Sequence, residues 1–85
     1  DEGVYYCTSN PTLTLGAPSA GAVITIYNNS ASSMTLNRGS TVTSMRIGAD
    51  NNTTNNTSLT LGAYSTTTIT MFQDVLAVVT GSDVS

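Results

Sequence analysis

Apolar side chains alternate with Thr, Ser and Asn at a period of two along most of the chain, and no window long enough for a helix carries a helical apolar stripe. Short extended segments are expected throughout. Val4-Tyr5-Tyr6-Cys7-Thr8 and Thr12-Leu13-Thr14-Leu15 are separated by Ser9-Asn10-Pro11, where Pro and turn-forming neighbours punctuate the chain. After Gly16-Ala17-Pro18-Ser19-Ala20-Gly21 comes Ala22-Val23-Ile24-Thr25-Ile26-Tyr27, whose clustered β-branched residues give the strongest strand signal. Met34-Thr35-Leu36 leads into Asn37-Arg38-Gly39, a turn in which Gly supplies a positive φ, and Thr41 to Ile47 resumes in extended form. Ser58 to Leu61, Thr67 to Phe72 and Val75 to Val79 complete seven or eight short strands. The pattern predicts an all-β, jelly-roll-like antiparallel sandwich that assembles as an oligomer.

Two features qualify the alternation. A period of two cannot put Val42 and Met45 on one face, so a bulge or break is expected near Ser44. Gly48 to Thr57 has no large apolar residue and is expected to be a solvated loop. The inner face is expected to draw on Leu13 and Leu15, Ile24 and Ile26, Met34 and Leu36, and Met45 and Ile47. From the later strands it takes Leu59 and Leu61, Ile69 and Met71, and Leu76 and Val78. An internal echo accompanies this: Leu13-Thr14-Leu15-Gly16-Ala17-Pro18-Ser19 matches Leu59-Thr60-Leu61-Gly62-Ala63-Tyr64-Ser65, and Ile24-Thr25-Ile26-Tyr27 matches Ile69-Thr70-Met71-Phe72. Two related strand-turn-strand units are implied.

Composition explains why assembly is expected. At 85 residues the chain is one domain at most, spanning 1–85, and a domain so small buries only about 60% of its unfolded surface. With no Trp, one Phe and four Tyr, few large rings contribute to that burial. One Cys and no His leave no disulfide and no transition-metal site to reinforce the fold, so association with copies is the remaining route. The chain opens on Asp1 with no basic-plus-apolar leader, which implies a processed form or a segment of something longer. The longest apolar stretch, Val75 to Val79, is far short of the roughly 20 residues that span a bilayer, so no membrane insertion is expected. Cys7 reads as a small buried hydrophobe.

The same composition removes whole function classes. A net charge of -3 with Arg38 and Arg46 as the only cations argues against nucleic-acid binding. With no His or Lys, acid-base work would fall to Asp1, Glu2, Asp50, Asp74 and Asp83, so no enzyme and no cofactor is expected. Asp50-Asn51-Asn52 offers oxygen ligands but lacks the spacing of a calcium loop, and a solvated turn accounts for it. N-x-Ser/Thr acceptors stand at Asn28, Asn51, Asn52, Asn55 and Asn56; they are candidate N-glycosylation sequons, with hydrophilic filler as the default reading.

Asp1-Glu2-Gly3-Val4-Tyr5-Tyr6-Cys7 is similar to the Asp-x-Gly-x-Tyr-x-Cys run of immunoglobulin variable domains, but the second Cys and core Trp of that family are missing. A wider resemblance covers most of the chain. Asp1-Glu2-Gly3-Val4-Tyr5, Thr12-Leu13-Thr14-Leu15 and Ala20-Gly21-Ala22-Val23-Ile24-Thr25-Ile26-Tyr27-Asn28 resemble β modules of bacteriophage tail fibres and other virion appendages. So do Ala63-Tyr64-Ser65-Thr66-Thr67-Thr68-Ile69-Thr70 and the closing Val78-Val79-Thr80-Gly81-Ser82-Asp83. Many such modules carry Trp in the last strand, where Val75 to Val79 is aliphatic. The resemblance implies a self-associating structural subunit of an extracellular fibre.

Two further readings stay open. In a pilus-like extracellular filament, the strand Val4, Tyr5, Tyr6, Cys7 and Thr8 would complete the sheet of the next subunit, and a free terminal strand would be its sign. In a module at a fibre tip, Tyr5, Tyr6, Tyr27, Tyr64 and Phe72 are the candidate aromatic platforms for a cell-surface glycan.

Overall fold

The computed structural model describes residues 3–9, 12–16, 19–48, 55–73 and 75–85. Eight strands follow one another without a helix among these residues: β1 (Gly3–Cys7), β2 (Thr12–Thr14), β3 (Val23–Asn28), β4 (Met34–Asn37), β5 (Ser44–Ile47), β6 (Ser58–Leu61), β7 (Thr66–Gln73) and β8 (Leu76–Gly81). Each falls within a segment chosen by the period-two pattern, or extends it by a residue or two. The turn after β4 is built as expected, with Gly39 at φ +77, where an added Cβ would strike the carbonyl oxygen of Leu15.

The strands form two sheets, one ordered β1-β3-β7-β8-β5 and the other β2-β4-β6. The expected antiparallel arrangement is corrected here. β1 runs parallel to β3, β2 to β4, and β5 to β8, whereas β3/β7, β4/β6 and β7/β8 are antiparallel. Through its first seven strands the chain alternates between the sheets. Parallel neighbours cannot be joined by a hairpin, and β1/β3 and β2/β4 are each joined by a crossing through the other sheet; β4 and β6 are joined by such a crossing too but run antiparallel. Among the described strands, β7 and β8 are the one consecutive pair that forms a ladder.

One hydrophobic cluster draws on both sheets. Ile24, Ile26, Ile69 and Met71 meet Met34, Leu36, Leu59 and Leu61, with Leu15, Val42, Met45, Ala77 and Val79 closing it. Leu13 and Ile47 are half-buried against it. Two details of the expected inner face change. In β8 the buried residues are Ala77 and Val79, and Leu76 and Val78 are only half-buried. The ladder slips between Met71 and Gln73, and the unbroken apolar run in β8 offers no alternation from which to read its phase. Val42, outside the expected set, is fully buried along with Met45 because β5 begins only at Ser44, which is the break expected there.

The echo maps onto equivalent places. β2 and β6, which carry its first part, flank β4 on opposite sides and run in opposite directions. β3 and β7, which carry its second part, are antiparallel neighbours, and the equivalent residues Ile24 and Ile69 are direct partners across that ladder. The equivalent strands of the two units thus run in opposite directions, on either side of β4 and across the β3/β7 ladder. Their surroundings differ, and that difference builds the site.

Candidate assembly site

A two-sheet fold has four outer strand edges, and an unsatisfied edge is a template for pairing. The edge of β5 is covered within the chain. Met45 N donates to Asn55 Oδ1 at 3.0 Å, Asn56 N donates to Met45 O at 2.9 Å, Asn56 Nδ2 donates to the same oxygen, and Asn55 Nδ2 donates to Thr43 O at 2.6 Å. These asparagines stand in for a further strand, so the reading of Asn55 and Asn56 as solvated filler is corrected. The edge of β6 is covered by residues 83–85: Thr60 and Ser85 exchange N–H to O bonds, Gly62 N donates to Asp83 O, and Leu61 bridges Val84.

The edges of β1 and β2 have no such cover. Among the described residues no strand lies against the side of β1 away from β3 or the side of β2 away from β4. Both belong to one stretch of chain. Among the described strands, β1 and β2 alone contain no buried residue. Val4 and Tyr6 project from the outer face at 80% and 66% exposure, while Tyr5 turns inward opposite Ile26. The two tyrosines thus lie one on each face, as the alternation predicts. The candidate strand is Val4, Tyr5, Tyr6 and Cys7, with Thr8 just beyond it; it is packed in its own chain against β3 and is not free. Cys7 is a free thiol, half-buried against the core.

Between this arm and the rest of the molecule lies a half-open pocket of about 90 Å³. On the arm side it is lined by Tyr5, Leu13 and Leu15; on the body side by Ile24, Ile26, Leu36 and Ile69. Protein interiors are packed to crystal density, so a pocket here leaves this seam incompletely filled. A few specific contacts hold the arm closed beyond the strand ladders. Asn29 N donates to Cys7 O at 2.7 Å, Asn29 Nδ2 donates to Tyr6 Oη at 2.7 Å, the Tyr6 and Tyr27 rings lie 5.8 Å apart and tilted by 35°, and Leu15 N donates to Asn37 O.

Asn28 does something the sequence reading did not assign. It is fully buried, and its Nδ2 donates to the carbonyl oxygens of Ser32 at 2.9 Å, Gly62 at 3.0 Å and Leu61 at 3.4 Å. One side chain from the larger sheet therefore satisfies backbone around the end of the smaller one. Asn28 is removed as a glycosylation candidate, because the nitrogen that would carry the sugar is enclosed and occupied in the folded chain. The signal was present: Ile24, Ile26 and Asn28 share one parity, which places Asn28 inward. Asn55 and Asn56 remain candidates: Asn55 is exposed, a sugar on either Nδ2 leaves one N–H there, and the Met45 N to Asn55 Oδ1 and Asn56 N to Met45 O bonds do not use that nitrogen. Asn51 and Asn52 lie outside the described residues, as do Asp1, Glu2, Asp50 and Asp74.

The remaining candidate aromatics are dispersed. Tyr64 and Phe72 are exposed, Tyr64 on a turn at φ +53, and Tyr5 lines the pocket. Tyr6 and Tyr27 are brought together. Among the described residues no group of three or more His, Cys, Asp or Glu could hold a metal ion, and no helix is long and apolar enough to cross a membrane. Compared with known proteins, the chain matches no family model, no curated protein and no solved structure, so the open β1 and β2 edges are the feature on which a functional reading rests.

Proposed function

We propose that the chain is a non-enzymatic structural subunit of an extracellular fibre, a phage tail fibre or similar virion appendage. In this reading its two sheets face one another as a small sandwich, and copies associate on the β1 and β2 side. The supporting observation is the asymmetry of the edges: β5 and β6 are covered within the chain, while among the described residues no strand pairs with the outer edges of β1 and β2, and the Val4 and Tyr6 side chains are exposed. Edge pairing supplies directional hydrogen bonds, and burying Val4 and Tyr6 adds an apolar contribution.

Strand donation of the pilus kind, in the form that leaves a terminal strand free until a neighbour accepts it, is less favoured, since β1 already occupies a place beside β3 in its own chain; reciprocal exchange between closed copies does not need a free strand. A glycan-binding role retains one specific observation, the exposed Tyr6 ring beside Tyr27 with the Asn29 amide at its hydroxyl. Native mass measurement across a concentration series tests the assembly reading. The wild-type chain is expected to form a defined oligomer, and Val4→Lys with Tyr6→Lys, which places charge on the open edge, is expected to return it to single-chain mass with its strand content intact. An unchanged oligomer in the double variant would exclude this surface, and glycan-array binding lost on Tyr6→Ala would support the second reading.

A further inference from the structure

We propose that copies associate by exchanging the β1–β2 arm as a unit, so that β1 and β2 of one chain occupy the places beside β3 and β4 of another. This rests on the reading that copies associate and replaces pairing of the outer edges with exchange of the arm, since an exchanged arm remains the outermost strand of each sheet. Three observations point to exchange.

The arm is contiguous, yet it supplies the outermost strand of both sheets, so one displacement opens both. Its two strands are less buried than the others: neither contains a buried residue, the arm's apolar anchors are Leu15, which is buried just past β2, and the half-buried Cys7 and Leu13, and the pocket runs along the arm's seam with the body. Segments with few buried contacts open at low cost relative to global unfolding. Opening uncovers the ladders of β3 and β4 and the body-side residues Ile24, Ile26, Leu36 and Ile69, a slot of defined register. Val4 takes Thr25, Tyr6 takes Tyr27, and Leu13 takes Leu36.

The chemistry that fills this slot is that of the arm itself. Intramolecular closure leaves the arm of every other copy as an equally complementary occupant, which is the condition for domain swapping. Sequence supplies a suitable connection, Gly16-Ala17-Pro18-Ser19-Ala20-Gly21, with glycine at both ends, and Gly21 adopts φ +89. Simple edge-to-edge pairing would leave each arm on its own body. Exchange moves it to the neighbour and keeps every ladder bond.

Val4 and Thr25 are direct partners on the outer face, which allows a test without disturbing the core. In a Cys7→Ser background, chains carrying Val4→Cys are mixed with chains carrying Thr25→Cys, allowed to assemble and oxidised. Exchange predicts an interchain disulfide between positions 4 and 25, found by peptide mass mapping and absent when Thr80→Cys replaces Thr25→Cys. A chain carrying both Val4→Cys and Thr25→Cys, oxidised while dilute, staples its own arm; it is expected to lose the assembled species and to regain it on reduction. A stapled chain that assembles to the wild-type mass, or an assembled mixture without the 4–25 link, overturns exchange while leaving assembly standing. A wild-type chain that stays at single-chain mass at every concentration overturns both.

Discussion

The two echo-related halves of this molecule have similar strands and opposite fates at their edges. β6 sits beside β4 with residues 83–85 along its outer side, and Leu59 and Leu61 are buried. β2 sits on the other side of β4 with nothing described along its outer side, and Leu13, the counterpart of Leu59, is only half-buried. The same contrast holds in the larger sheet, where the edge of β5 is covered by Asn55 and Asn56 while no described strand lies along the outer side of β1. Equivalent sequence thus gives equivalent position, but the burial of a strand depends on what the rest of the chain lays against it. The side without described cover is where the proposed association is placed.

The body half is expected to fail first when its polar pin is changed. Asn28→Asp replaces a donor facing three carbonyl oxygens with a buried charge, a loss comparable with the whole stability of a small domain, about 5 kcal/mol or more. Chemical denaturation and the loss of cooperative unfolding check it. Next comes the direct comparison between halves. Leu59→Ala should cost about 2–5 kcal/mol as a buried leucine truncation, and Leu13→Ala, at the half-buried counterpart, about 1 kcal/mol in the dilute chain. Equal losses would remove the distinction between a packed body and a loosely held arm. A smaller effect is expected at the covered edge: Asn55→Ala removes the acceptor for Met45 N and should cost about 1–2 kcal/mol, with new concentration-dependent association through β5 seen by light scattering.

The eight strands were legible in the sequence because Thr alternates with Leu, Ile and Met and because Pro, Gly and Asn punctuate the runs. The arrangement of those strands was not. A turn such as Ser9-Asn10-Pro11 ends one strand but carries no information on whether the next one pairs beside it or crosses to the other sheet, so an antiparallel fold was expected where three of the six pairings are parallel. The phase of β8 was hidden for a different reason, since Val75 to Val79 is apolar on both faces. The inward position of Asn28 could be read from its parity with Ile24 and Ile26. The cover given by Asn55 and Asn56 could not, because bonds from a loop to the distant residues Thr43 and Met45 leave no periodic trace. The open edges of β1 and β2 became visible only when the covering residues elsewhere had been placed.

Amide hydrogen exchange at two concentrations tests most directly the claim that the β1 and β2 side is the one built for partners. In the dilute chain the amides of β5 and β6 should already be protected, and those of β1 and β2 should exchange fast. On concentration, protection should rise in β1 and β2 and in the facing strands β3 and β4, with β5 and β6 unchanged. A rise confined to β5 and β6, or no change in β1 and β2 while the mass increases, would contradict the account.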